Sequence, residues 1–363
     1  MARRKTLLDL LDEFEPKIRK AIEEALANIR SDVQMAALEA AIASGNVGAA
    51  IEAIGLDASY FRPLDEALRA AHIAGGDFAI ADVKAAGARK GVKITGMFDS
   101  RNFRAEGILR QWSSDKVVEI VESTREAVRE ALTDAITRGT SPRSAALDLV
   151  GRVGPGGVRT GGIVGLDPPR LQQAQSVKDI LGDPERIREY FIKDRKTGRM
   201  KPRYKSTDRR FDAMVRRAIK DGKALSATDI KKISTRHHAR LLKARAETIA
   251  RTELLGSVNA AKAEGLQQMV DSGQVKSENI VNEWISSIGE ATRDSHRAAR
   301  GQKRKQGEPF LIGSSLMMYP GDQSAPGDEV INCRCFLRTD IDFIAGLKES
   351  LTPEELARAR AAM

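Results

Sequence analysis

The chain has 363 residues, an apolar share of 41%, an aromatic share of 4% and a formal net charge of +10, which is length enough for two or three hydrophobic cores. So few aromatics argue against a single-strand nucleic-acid platform built on stacked bases, and the lack of any run of 18 apolar residues argues against a membrane-spanning helix. Residues 1–5 are basic, but residues 6–13 alternate acids with leucines instead of forming a signal-peptide core; a cytosol-like compartment is therefore expected, and the two cysteines there stay thiols.

Residues 7 to about 53 are rich in Ala, Leu, Ile and Glu at helical spacing, broken by Ser44-Gly45-Asn46, a stop and turn. Pro63 suits the first turn of a helix that the pattern carries to about Ala74, before Gly75-Gly76. Residues 91–99 are short and β-like and read as a hairpin or extended arm. Val117, Ile120, Val121, Val128, Leu132 and Ile136 mark one face of a helix ending at Gly139. Thr140-Ser141-Pro142 restarts it with a hydroxyl cap and a proline at the first position, and Gly151 ends it. Gly154-Pro155-Gly156-Gly157 and Gly161-Gly162 read as a flexible joint, lacking the Gly-Lys-Ser/Thr ending of a phosphate loop.

Residues 186–223 hold fifteen Lys or Arg against five Asp or Glu, which leaves the remainder of the chain balanced. This stretch reads as a basic connector with a loop at 195–203. It is either solvated charge or a footprint for the backbone of double-stranded DNA, with Arg195, Lys196, Arg199, Lys201, Arg203, Arg209 and Arg210 as candidate contacts.

Ser226 with Asp229 three residues on caps another helix. From about 238 to 269 the pattern turns Leu242, Ala246, Ile249, Ala250, Leu254, Val258 and Ala261 inward, while Glu247 and Arg251, four apart, can form an ion pair. His72 and His237-His238 lack partners at metal-like spacing and read as ordinary helix or surface histidines. Residues 329–337 alternate like a strand, so Cys333 and Cys335 leave from one face. Met317-Met318-Tyr319 reads as a second strand running into the turn Pro320-Gly321-Asp322. Thr352-Pro353-Glu354-Glu355 is a capping box that opens a terminal helix. The fold class that follows is mainly α, helical over the N-terminal two thirds, with a short antiparallel sheet around residues 280–337 in a small α+β C-terminal module.

The unusual residue types collect between Trp284 and Leu337. His296, Cys333 and Cys335 offer a nitrogen and sulfur set for zinc, with Asp322 or Asp328 as a fourth ligand. Against this, strand residues two apart lie roughly 6.5 Å from each other, whereas two thiolates on one zinc must come within roughly 3.8 Å. A Cys/His nucleophile pair is a second reading, although no oxyanion-forming helix start accompanies it. A third is a polar network around small buried thiols, in which Arg245, Glu247, Arg251, Glu253, Trp284, Arg293, Asp294, His296, Asp322, Asn332 and Arg334 stitch the long helix to the sheet.

One arrangement of spaced elements resembles a known family. The run Arg245-Ala246-Glu247-Thr248-Ile249-Ala250-Arg251-Thr252-Glu253 is followed by Trp284, Thr292-Arg293-Asp294-Ser295-His296, Gly301, Pro320-Gly321-Asp322 and Asn332-Cys333-Arg334-Cys335. In this order the elements resemble the phage Mu protein F-like family of minor head morphogenesis proteins, and the helix pair around Thr140-Ser141-Pro142 extends the resemblance upstream. Glu290 departs from the family pattern, standing two positions before Thr292 where an acid usually adjoins it. The resemblance implies a non-enzymatic minor head protein of a tailed bacteriophage, without cofactor unless zinc is bound. Its partners would be portal protein and capsid or procapsid components, with double-stranded DNA as a further contact and no membrane. It would occupy the host cytoplasm during assembly and the virion afterwards. The expected segments are a helical attachment region (1–112), a helical hairpin with a Gly-rich joint (113–185), the basic connector (186–223), the Mu F-like α+β module (224–345) and a C-terminal helix (346–363). Two alternatives stand beside this: a zinc-dependent hydrolase or nuclease on His296, Cys333 and Cys335, and a toxin-like ADP-ribosyltransferase module, for which the chain shows no spare length.

Overall fold

The computed structural model describes residues 6–154, 156–343 and 354. Helices α1 (Leu7–Asp32), α2 (Met35–Ala43), α3 (Val47–Ile54), α4 (Arg62–Ala88), α5 (Phe103–Thr137) and α6 (Pro142–Val150) come first. A ribbon of β1 (Arg152–Val153) and β2 (Arg159–Thr160) leads to α7 (Pro168–Gly182), a hairpin of β3 (Phe191–Lys193) and β4 (Met200–Pro202), then α8 (Asp212–Asp221) and α9 (Ala227–Asp271). The remaining elements are β5 (Ile280–Ile285), α10 (Asp294–Ala298), β6 (Lys303–Lys305), β7 (Phe310–Ile312), β8 (Ser315–Met317), α11 (Gly327–Val330) and β9 (Phe336–Ile341). With 61% of the described residues helical and short antiparallel sheets in the C-terminal part, the protein is mainly α with a small α+β module.

Local chemistry sets many of the helix starts. Asn46 accepts from the Ala49 N–H, Ser141 from Ser144 with Pro142 behind it, and Asp167 from Arg170 with Pro168 behind it. Ser226 accepts from the Asp229 N–H at 3.2 Å while its hydroxyl donates to the Asp229 carboxylate at 2.8 Å, opening α9 as a capping box.

Chain order and compactness do not coincide. One compact unit draws on Met1–Ile18, Asp65–Ser113 and Thr248–Met363, the other on Arg19–Leu64 and Ser114–Glu247. In the second unit, Val177, Ile180, Leu181, Ile187, Tyr190, Phe191, Val215, Ala218 and Ile233 form a shared apolar cluster. Residues 186–223 are therefore folded and are not a connector: Phe191 pairs with Pro202 across the β3–β4 hairpin, and the Arg216 guanidinium stacks 4.2 Å from the Phe191 ring centroid. The expected loop at 195–203 is the turn and second strand of this hairpin, with Asp194 accepting from the Lys196 and Thr197 N–H groups at 2.9 Å each. The described glycines of the stretch expected as a joint lie between and just after the strands of the β1–β2 ribbon, in which Arg152 pairs with Thr160.

In the first unit the sheet runs β6-β5-β9, antiparallel throughout, and β7-β8 is a separate hairpin. Strand β5 alternates, burying Ile280, Asn282 and Trp284 on one face. One apolar cluster joins Ile80, Val83 and Ile94 to Leu266, Met269, Ile280 and Ile341, so the module expected at 224–345 takes part of its core from outside those residues. Helix α4 does not stop at Gly75-Gly76, because the bare backbone there serves close packing. A Cβ on Gly75 would stand 2.8 Å from the Val258 carbonyl oxygen, and one on Gly76 2.3 Å from the Phe98 ring. Residues 92–99 form no strand. Their backbone is satisfied by side chains instead, Thr95 N–H donating to Gln274 at 3.1 Å and Asp99 N–H to Gln268 at 2.8 Å. The expected C-terminal helix lies outside the described residues, apart from Glu354.

Candidate functional site

The segment 329–337 is not one strand. Helix α11 occupies its first part, Asn332 turns the chain with φ +58°, and β9 begins only at Phe336. Asparagine tolerates this left-handed conformation better than other side chains because it bonds locally. Here the Asn332 N–H donates to Thr252 Oγ1 at 3.0 Å and its Oδ1 accepts from the Arg251 guanidinium at 3.1 Å. Arg251 also donates to Glu15 at 2.8 Å. The Arg251-Thr252 pair of α9 thus grips the turn before the cysteines.

That turn removes the geometric objection to a shared ligand. His296 Nδ1, on α10, lies 3.3 Å from Cys335 Sγ and 3.5 Å from Cys333 Sγ. Among the described residues these three supply a group of metal-type donor atoms within 4.8 Å of one another, and all three are buried. The Cys335 N–H donates to Cys333 Sγ at 3.4 Å. Cys335 is held below the ordinary thiol range, first by the hydrogen bond from Cys333 and, with burial opposing, by His296. Cys333 is pushed above that range by the same partner and then by burial.

On its other side, His296 Nε2 lies 2.9 Å from Glu329 Oε2. That contact is not a hydrogen bond, and Ser295 Oγ donates to the same Glu329 oxygen at 2.9 Å. The sequence reading placed Glu329 in a strand and missed it. The signal was Pro326-Gly327-Asp328, a helix start that would have turned the next carboxylate toward α10. Trp284, fully buried, meets the His296 ring edge-on at 5.7 Å and Phe310 at 5.5 Å.

The other expected members divide. Asp322 spends both oxygens on its own turn, accepting from Met318 N–H at 2.7 Å and Ser324 N–H at 3.0 Å, while Asp328 is exposed; neither is a ligand to the cluster. The turn seats on α9 through Asn259 Nδ2, which donates to the Pro320 carbonyl at 2.9 Å. Arg293 donates to the Ile331 carbonyl at 2.6 Å and Gln323 to Glu253 at 3.2 Å. Asp294 is 97% exposed and pairs with Arg297 at 2.9 Å, and Arg334 is also exposed. Neither of these two joins the His296 network.

Glu247 and Arg251 do not form the expected pair; the Glu247 carboxylate lies 3.8 Å from Lys243. Arg245 belongs to a separate site in the other unit, where it donates to Gly165 O at 2.6 Å, Ser123 Oγ at 2.7 Å and Thr124 Oγ1 at 3.0 Å. His72 and His237 are buried, not surface, residues, and His238 Nδ1 lies 2.7 Å from the Gly161 carbonyl.

Of the basic candidates, Lys201 pairs with Asp194 at 2.5 Å, Arg210 with Asp208 at 2.6 Å, and Arg203 and Arg209 lie 3.7 Å from Glu189 and Asp212. Arg195, Lys196 and Arg199 stand exposed in the β3–β4 turn.

A family model described as phage Mu protein F like protein matches residues 209–338. Over these residues the chain is similar to the phage Mu protein F-like family. The match takes in α8, α9, the grip of Arg251-Thr252 on Asn332, and the whole of the His296, Cys333 and Cys335 cluster. The chain matches no curated protein and no solved structure. Among the described residues no helix is long and apolar enough to cross a membrane.

Proposed function

We propose that this chain is a minor structural protein of a tailed-phage head, acting in head morphogenesis near the portal and touching packaged DNA through its basic hairpin. The Mu F-like match over 209–338 carries the reading. Supporting a structural part, the cysteines and His296 are at most 2% exposed, and a nucleophile or metal-activated water so enclosed has no face to offer a substrate. Four of the five acids in 186–223 already pair with Lys or Arg of the same block. Arg195 and Arg199 in the β3–β4 turn, with Arg217, Lys220 and Lys223 on and after α8, stand exposed and present positive charge at the surface. Portal and capsid or procapsid components are the partners this role requires, in the host cytoplasm during assembly and in the virion after it. Sedimenting lysates of infected cells that express a tagged full chain tests the role. The chain should travel with procapsids; recovery only in the free-protein fraction would overturn it.

A further inference from the structure

We infer that His296, Cys333 and Cys335 bind one zinc ion through Nδ1 and the two Sγ atoms, with Glu329 holding the imidazole from its far side. The inference does not rest on the head-protein reading. Its basis is the shape of the cluster. A tetrahedral zinc with sulfur at about 2.3 Å and nitrogen at about 2.0 Å sets its nitrogen and sulfur donors roughly 3.5 Å apart and its two sulfurs roughly 3.8 Å apart. The Nδ1 to Sγ distances are 3.3 and 3.5 Å, and no pair of the three donors is more than 4.8 Å apart. Two thiols around one imidazole nitrogen make a soft donor set that selects zinc over oxygen-seeking cations.

Three further observations fit a metal and are not needed by a merely packed pair of thiols. Imidazoles that bind zinc through one nitrogen keep a carboxylate beside the other, and Glu329 Oε2 stands 2.9 Å from Nε2. That buried Nε2 has no aligned hydrogen bond, an unmet need that a small reorientation of the ring about a bound ion would satisfy. The Cys335 N–H already points at Cys333 Sγ, where it would stabilise a thiolate. The left-handed Asn332, fixed by Thr252 and Arg251, keeps this geometry in place. Binding displaces the thiol protons.

Elemental analysis of the full chain, purified without chelator, added metal or a histidine tag, tests this. About one zinc per chain is expected. His296→Ala and Cys335→Ser should each lose it, whereas Glu329→Gln should keep it with affinity weakened about 10- to 100-fold. Because the two ligand variants could fail to fold, the unaltered chain carries a second readout. Exchanged into cobalt, it should show thiolate-to-cobalt charge transfer in the near ultraviolet together with the strong visible bands of a tetrahedral site. Background zinc with no such bands on cobalt addition would overturn the inference. So would stoichiometric zinc that survives in folded His296→Ala, since the metal would then lie elsewhere.

Discussion

With φ at +58°, Asn332 is the one non-glycine residue in the left-handed region among the described residues, and that torsion brings Cys333 and Cys335 onto a common imidazole. Glycine would keep the torsion without the side-chain hydrogen bond from Arg251, so Asn332→Gly should cost under about 1.5 kcal/mol. A β-branched residue cannot take the torsion without strain, and Asn332→Val should cost about 1 to 3 kcal/mol more, both read by urea denaturation. Equal costs for the two variants would show that the torsion is not what holds the turn. Two histidines set a pH limit. His72 and His237 are 1% and 0% exposed, and burial lowers each imidazole from 6.5 to about 4. The unfolded chain therefore binds more protons across that interval, so stability is full above about pH 6.5 and falls as pH drops toward about 4, by on the order of 3 kcal/mol per histidine. Thermal midpoints from pH 7 to 5 should fall less steeply for His237→Leu than for the parent. Parallel slopes would mean that His237 is not the neutral buried group described.

Helix α9 shows at the level of elements what the sequence could and could not reveal. Its capping box at Ser226 and Asp229 and its inward stripe were legible, because both depend on neighbours in sequence. The closeness of its partners was not. A Cβ on Gly256 would stand 1.8 Å from the Trp112 ring and 2.7 Å from the Gly321 carbonyl oxygen, so this one bare position admits both a tryptophan and the Pro320-Gly321-Asp322 turn. Gly256→Ala, which raises helix propensity, should nevertheless destabilise by about 1 to 3 kcal/mol or more through overpacking. An unchanged melting temperature would contradict that packing. The strand expected across Cys333 and Cys335 failed for a related reason: alternation of residue types cannot register one asparagine in a left-handed turn, and the misread strand hid Glu329 along with the donor geometry. Similarly, Gly75-Gly76 looked like a stop because the side chains and backbone that fill its bare face, at Val258 and Phe98, are distant in sequence or follow an irregular stretch. A fragment of residues 224–345 would lack Ile80, Val83 and Trp112. It should remain largely unfolded by near-ultraviolet circular dichroism, and a native-like spectrum would show that these residues are dispensable.

For the whole molecule, the head role rests on the Mu F-like match, and the DNA contact rests on charge placement. Backbone binding at the β3–β4 turn should be indifferent to sequence and fall steeply with salt. Replacing Arg195, Lys196 and Arg199 with Gln should reduce the slope of log affinity against log salt by about 0.9 for each phosphate no longer neutralised. An unchanged slope would leave those charges as solvated surface. The proposed role, a minor head component near the portal, is tested by quantitative mass spectrometry of purified phage particles with portal protein as the internal reference. The chain should be found at a reproducible, low ratio to portal in intact heads. Its absence from particles assembled in cells that express it would contradict that role.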